Sequence, residues 1–343
     1  MSKNVTIRDV AAAAGVSHQT VSRVINNRTD VADETRDRVW RIIQELGYRP
    51  NAIARSLIQQ RSFTLGVVTA GLKYIGPSRT LNGITEKAEE MGYALLLKEL
   101  PRFDTNELEP VFEALSSRQV DGIIWATSEV GDNLDWLQDK PPRLSVPMIF
   151  ITIQPRPGLA VVAVDNYAGS CTATTHLLEQ GHQHIGHIAG PLAWWESRQR
   201  KAGWEDTLRA AGMTVEDRFW DEGNWSCASG GYAMLRLMQS YPEMDAVFVG
   251  NDQMALSVLQ IACREGIRVP DDLAVVGFDN ITESAYFWPP LTTVSQDQRM
   301  VGHTAVRELI RCIDLVRGGV EGAAPQTFIL QPELIVRASS GSR

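Results

Sequence analysis

Three stretches of the chain end β-rich runs with side chains able to grip a polyhydroxylated ligand. Pro191-Leu192-Ala193-Trp194-Trp195-Glu196-Ser197-Arg198 follows a run ending at Gly190, Asn251-Asp252 follows Val249-Gly250, and Asp279-Asn280 follows Val276-Gly277-Phe278. Arg and Asn are forked donors and Asp is an acceptor, a set that suits vicinal hydroxyls. Trp225, in Gly223-Asn224-Trp225-Ser226, adds a flat apolar face for the C–H side of a pyranose. Each residue also has a plainer role open to it. Asp279 reads as a turn residue, Asn251 or Asp252 as a helix cap, Arg198 as a solvated cation and Trp225 as core. Convergence of separate strand ends favours the sugar-binding alternative.

A second chemistry sits near residue 20. Thr6 with Asp9 three residues on has capping-box spacing, and the helix it opens is broken by Gly15-Val16-Ser17. Ser17 is a cap for a second helix from His18 to about Asn26, with Val21, Val24 and Ile25 on one face. A third helix fits Ala32 to Leu46, ended by Gly47. Two short helices joined by a Gly-containing turn make a helix-turn-helix. On the second helix His18, Gln19, Ser22 and Arg23 oppose the apolar stripe; Gln reads adenine, Arg guanine, and His an acceptor edge. Hydroxyls of Thr6, Ser17, Thr20 and Ser22, with Asn26, suit phosphate oxygens. The plainer alternative is a helical hairpin with a solvated polar face.

These residues need two kinds of scaffold: a small all-α head and a larger α/β body. After Ser62, strand candidates at 63–70, 94–98, 121–127, 147–153, 161–165, 184–190, 246–251 and 273–279 alternate with helical stretches at 79–92, 104–118, 167–181, 195–212, 226–240, 252–266 and 298–318. Such alternation predicts parallel sheets covered by helices. More than 250 residues is long for one open sheet, so the body is expected to be two-lobed, with ligand in the cleft at the strands' carboxyl ends. The expected boundaries are a head at 1–48, a hinge at 49–61, and a body at 62–343. Lobe one is expected at about 62–162 plus 293–324, and lobe two at about 163–292 plus 325–343.

The segment Thr6–Asn26 and the run Leu46-Gly47-Tyr48-Arg49-Pro50-Asn51-Ala52-Ile53-Ala54-Arg55-Ser56-Leu57 resemble the head and hinge of the lactose-repressor family of bacterial transcription regulators. The resemblance continues through Gly190-Pro191-Leu192, Ala202-Gly203-Trp204, Asn251-Asp252-Gln253-Met254-Ala255 and Pro289-Pro290-Leu291-Thr292-Thr293. It implies a periplasmic-binding-protein-like body and a homodimer on a pseudopalindromic double-stranded operator. It also implies hinge contacts from Asn51 and Ala54, and a minor-groove wedge at Leu57. Effector contacts carried over are Ser78, Arg198, Trp225, Asn251, Asp279 and Gln296. Thr152 stands where the family's namesake has an effector-contacting Asp. Trp194 and Trp195 are a further departure, suggesting stacking on a second sugar ring and hence an oligosaccharide or β-glycoside. His18 replaces a Tyr, so base preference should differ. The short polar tail after Leu334 lacks the leucine heptads of family tetramers.

Composition agrees with a globular chain: 44% hydrophobic and 22% charged residues exclude disorder and a disulfide scaffold. The net charge of −8 hides an asymmetry. Residues 1–60 carry nine basic and six acidic residues, or +3, leaving −11 on the other 283. A basic head on an acidic body fits a chain whose head alone meets a polyanion. Cys171, Cys227, Cys263 and Cys312 form no CxxC pair, and no apolar leader or spanning run is evident, so a cytoplasmic, nucleoid-associated protein with reduced thiols and no membrane partner is expected. His182, His184 and His187 invite a metal reading, but strand alternation splits them between two faces. No nucleotide, metalloprotease or serine-hydrolase motif occurs, so neither enzyme activity, metal nor cofactor is expected. The expected function is therefore a sugar-released transcriptional repressor. Alternatives are a regulator with a purine co-repressor, a sugar-binding transport protein, and a sugar-acting enzyme.

Overall fold

The structure, a computed structural model, describes residues 5–25, 28, 30–48, 61–139, 146–319 and 325–341. The chain divides into two compact units, Met1–Phe63 and Thr64–Arg343. Asn26 and the expected hinge contacts Asn51, Ala54 and Leu57 lie outside the described residues.

The first unit holds α1 (Ile7–Ala14), α2 (His18–Ile25) and α3 (Asp33–Leu46). The Thr6 amide and hydroxyl donate to the Asp9 carboxylate at 2.8 and 2.7 Å, opening α1 as the spacing predicts. Gly15 closes it at φ 65°, a left-handed conformation that costs glycine nothing. Ser17 Oγ then accepts the Thr20 amide at 3.0 Å to start α2. Val10, Ala14, Val21, Val24, Val39 and Ile43 form the shared core of the three helices. Arg36 pins the α2–α3 connection by donating to the carbonyls of Arg28 (2.9 Å) and Val31 (3.3 Å).

In the second unit the elements run β1 (Thr64–Ala70), α4 (Ile75–Glu90), β2 (Ala94–Leu100), α5 (Glu109–Ser117), β3 (Gly122–Ala126), α6 (Trp136–Asp139), β4 (Met148–Ile151) and β5 (Val161–Val164). There follow α7 (Asn166–Glu179), β6 (Ile185–Ala189), α8 (Trp195–Ala210), β7 (Trp220–Glu222), α9 (Cys227–Ser240), β8 (Ala246–Val249), α10 (Asp252–Arg264) and β9 (Ala274–Phe278). The unit ends with β10 (Thr292–Ser295), α11 (Gln298–Arg317), β11 (Thr327–Leu330) and β12 (Glu333–Ile335). Among the described residues the strands form two six-stranded sheets, ordered β2-β1-β3-β4-β5-β11 and β7-β6-β8-β9-β10-β12. The two orders are equivalent, and only the β10–β12 pair is antiparallel. Parallel strands need crossover helices and are buried on both faces, hence runs such as Ala274–Phe278 in which every residue is buried.

Four short strands escape sequence reading: β7, β10, β11 and β12, each three or four residues long. They also move the expected lobe boundaries. β10 pairs with β9, so the chain stays in lobe two until Ser295 and crosses just before α11. β11 pairs with β5, so residues 327–330 belong to lobe one, and the last crossing lies between Leu330 and Glu333. The strands are too short to show a periodicity of their own. α11 packs on α4 with their backbones in close approach: a Cβ on Gly83 would meet the Arg299 carbonyl oxygen at 2.2 Å, and one on Gly302 the Thr80 carbonyl oxygen at 2.5 Å.

Of the three histidines, His182 faces Asp245 at 3.5 Å and His184 lies 3.4 Å from the Tyr241 hydroxyl. His187 lies in the lobe-two core, stacked between Trp204 and Phe248, with Nδ1 2.8 Å from the Phe248 carbonyl oxygen. Burial pushes its pKa down to about 3, and its Nε2 has no partner. An imidazole kept neutral stabilises the fold fully above its unfolded pKa, and that contribution is lost as pH falls towards 3. His187→Phe keeps the stacking and removes the titration. In urea melts from pH 7 to 4, the stability of the native chain should therefore fall relative to that of the variant. A constant difference between the two would show that His187 does not titrate on unfolding.

Candidate functional site

A cleft of about 920 Å³, including its open mouth, lies between the two lobes, where the strand ends of both sheets converge. Both sheets reverse strand order at β1/β3 and β6/β8, and the segments after those strands supply its walls. Lobe one contributes Tyr74 to Pro77 after β1, Phe103 after β2, Ser128 after β3 and Thr152 after β4. Lobe two contributes Trp194 and Glu196 after β6, Trp225 after β7, Asn251 after β8 and Asp279 after β9, with Arg200 from α8. Gln296 and Gln298 stand at the crossing between lobes.

Arg200 anchors the lobe-two wall. It is 5% exposed, and its Nε donates to Asn166 Oδ1 at 2.8 Å and its Nη1 to the Gly250 carbonyl at 2.5 Å. Nη1 also lies 3.7 Å from Asp279 Oδ1, and the guanidinium sits 3.7 Å from the centre of the Phe278 ring and 5.5 Å from that of Trp225. Burial pulls its pKa down, opposed by the carboxylates of Asp279, Glu196 and Asp252. Burial likewise pushes Asp279 up, countered by Arg200 and by the hydrogen bond from Gln296 Nε2. Beneath this pair Asp252 is fully buried, accepting from the Ile281 amide and the Thr293 hydroxyl. Desolvation and Asp279 raise its pKa to about 7.

Asn251 caps α10, its Oδ1 accepting from the Met254 amide at 2.9 Å, and its Nδ2 donates to the Trp225 carbonyl at 3.0 Å. Trp225 (φ 70°), Thr152 (φ 58°) and Asp279 (φ 114°) all hold left-handed backbone conformations. Such strain in side-chain-bearing residues collects at functional sites. Trp225 meets Trp194 edge-on at 6.0 Å, and Trp194 meets Phe103 of the opposite lobe at 4.6 Å. Phe103 and Tyr74 extend this aromatic wall.

Of the residues expected to meet an effector, Thr152, Trp225, Asn251, Asp279 and Gln296 line the cleft, whereas Ser78, Trp195 and Arg198 do not. Ser78 turns its hydroxyl onto the Leu72 carbonyl. Trp195, 8% exposed, is buried among the core residues of lobe one, and Trp194 takes its place on the wall. Arg198 caps the carbonyls of Leu192 and Ala193, both at 2.9 Å. At 3.6 residues per turn, two positions separate Arg198 and Arg200 by about 200°, so only one can face inwards. The missed signal was Gly203-Trp204, three and four residues beyond Arg200 on one buried stripe. Glu196, one turn before Arg200 on the same stripe, was also missed.

On the head, His18, Gln19 and Arg23 are exposed along α2, and Thr20 and Ser22 are half-buried. Arg23 lies 3.6 Å from Asp30 in an exposed pair, and the Ser17 and Thr20 hydroxyls are 2.9 Å apart within the cap. No helix among the described residues is long and apolar enough to cross a membrane, and none of their His, Cys, Asp and Glu side chains gather in threes to hold a metal.

The family model of bacterial regulatory proteins of the lacI family matches residues 6–51, and a periplasmic binding protein-like domain matches residues 174–340. The HTH-type transcriptional repressor PurR of Aliivibrio fischeri (strain ATCC 700601 / ES114) is 34% identical over 341 residues, covering 98% of this chain and 99% of the relative. The chain belongs to the lacI family of bacterial regulatory proteins. Like its relatives it is a DNA-binding transcriptional repressor and not an enzyme. The lac repressor dimer bound to operator and the anti-inducer ONPF is similar at 31% identity and a TM-score of 0.81, covering 99% of this chain and 100% of that one. The complex of the transcriptional regulator CelR with cellobiose is similar at 32% identity and a TM-score of 0.71, covering 98% and 99%.

The two arginines of α8 make a direct comparison. Arg200→Ala should destabilise the chain by about 3–5 kcal/mol, because it leaves Asp279 buried without its cation. Arg198→Ala, at an exposed position, should cost under about 1 kcal/mol. Thermal melts of the two variants check this, and equal losses would contradict the assignment.

Proposed function

We propose that the protein is a homodimeric repressor that binds a pseudopalindromic operator and is released from it by a sugar, a disaccharide or glycoside. The observation that carries the sugar reading is the cleft wall itself. Arg200, Asn251, Asp279 and Gln296 bring forked donors and acceptors to one volume, faced by Trp194, Trp225, Phe103 and Tyr74. Vicinal hydroxyls suit the first group and the C–H faces of sugar rings the second. The relative seen with cellobiose supports the same ligand class. Thr152, which stands where the family's namesake has an Asp, brings a hydroxyl to the same cleft as a weaker acceptor.

The homodimer reading is supported by the dimeric relative on its operator. It is also supported by apolar side chains left exposed on lobe two: Tyr232 and Leu235 on α9, Leu256 on α10, and Tyr286 and Trp288 at 84% and 88% exposure. Two heads would read half-sites through His18, Gln19 and Arg23, with Thr6, Ser17, Thr20, Ser22 and Asn26 on the backbone and Asn51, Ala54 and Leu57 at the centre. For a sugar to release DNA it must bind the DNA-free state more tightly, and that difference is the coupling free energy. This action belongs to the cytoplasm, on nucleoid DNA.

A second reading has its own support: relatives at 34% identity are named PurR, and a purine would stack on the same aromatic wall. Its sign is opposite, since a co-repressor tightens operator binding. Gel shifts on an operator selected from random DNA separate the two. Cellobiose or lactose should weaken the complex, whereas hypoxanthine or guanine strengthening it would establish the purine reading. In the same assay Gln19→Ala and Arg23→Ala should each weaken specific binding by about 1–3 kcal/mol with relaxed base preference. Unchanged binding by both would remove α2 from the major groove.

A further inference from the structure

Glu196 is the acid in the cleft whose carboxylate is left with a buried, unpartnered oxygen; Trp225 Nε1 and Gln298 Oε1 are buried without partners in the same cleft. Glu196 is 7% exposed, lines the cleft, and accepts from Ser128 Oγ across the lobe boundary at 3.0 Å through Oε1. Its Oε2 is buried with no hydrogen-bond partner. A buried carboxylate oxygen left unsatisfied is costly, and each such group in a folded protein needs an explanation. Asp279, the other carboxylate of the wall, already has Gln296 and Arg200. Glu196, Asp279 and Arg200 are the charged residues lining the cleft, so two acids face one cation whose Nη1 and Nε are already engaged.

Resting on the glycoside reading above, we infer that Glu196 sets ligand specificity. Its Oε2 accepts a hydrogen bond from one hydroxyl of a neutral glycoside, and the acidic balance of the cleft rejects phosphorylated sugars. The position compensates for Thr152 on the other lobe, where the hydroxyl is the weaker acceptor. Because Oε1 is held by Ser128 of lobe one while the carboxylate stands on α8 of lobe two, a ligand hydroxyl on Oε2 joins a bond that already spans the lobes. Burial pushes the Glu196 carboxyl up, opposed first by its own backbone amide and then by Ser128, Arg200 and Arg198. A hydroxyl donor favours its ionised form, whereas a ligand phosphate would disfavour it.

The test is calorimetric titration of the full chain and of Glu196→Gln with cellobiose and lactose, the monodeoxy derivatives of each, and their 6-phosphates. The native chain should bind a neutral disaccharide and bind its 6-phosphate at least about tenfold more weakly. A hydrogen bond to a charged group implies that Glu196→Gln, and removal of the one hydroxyl it meets, each weaken binding roughly 10- to 100-fold. The two losses should not add when combined. A purely structural role would weaken every deoxy derivative alike in the variant, and that result overturns the inference, as does a 6-phosphate bound as tightly as the parent sugar. The deoxy and phosphate series on the native chain stand even if the variant fails to fold: no single hydroxyl mattering there also overturns the inference. If neither neutral disaccharide binds, the glycoside reading itself falls and takes this inference with it.

Discussion

The burial of the Arg200 charge constrains the rest of lobe two. A guanidinium removed from water must be compensated on every side, and its partners come from four elements: Asn166 on α7, Gly250 after β8, Phe278 and Asp279 at the end of β9, and Trp225 before α9. None of these segments can shift far without exposing or stranding the charge. The same demand explains the strained backbone at Asp279, whose amide bonds the Val294 carbonyl at 2.8 Å while its carboxylate turns to the cation. Asp252 sits beneath this pair and ties the segment after β9 to β10 by accepting from the Ile281 amide and the Thr293 hydroxyl.

Lobe one meets this wall through polar, aromatic and apolar contacts, with Ile75 packed on the lobe-two core. Ser128 reaches Glu196, Arg79 donates to the Asn280 carbonyl and the Thr282 hydroxyl at 3.2 Å each, and Phe103 packs on Trp194. Trp195 adds an apolar anchor by burying itself with the lobe-one core. Polar and aromatic contacts beside a cleft, with three chain crossings as pivots, are the arrangement in which a bound molecule can bias one lobe position over another. The free energy available for that bias is the ligand's preference between the two positions.

The sequence by itself determined the head, because its signals are local: capping spacing at Thr6 and Asp9, the left-handed Gly15, the Ser17 cap and the valine stripe of α2 all lie within one turn of what they control. It determined most of the strand–helix alternation of the body for the same reason, and the placing of Asn251 and Asp279 at strand ends. The tertiary structure alone decided which strand joins which sheet after residue 292, since β10, β11 and β12 are too short to carry a pattern and are placed by their partners. It also decided between Arg198 and Arg200, between Trp194 and Trp195, and in favour of Glu196 over Ser78. Those choices turn on which face of a helix is buried, through contacts between residues that are tens of positions apart, and on the cost of leaving a charge there without a partner.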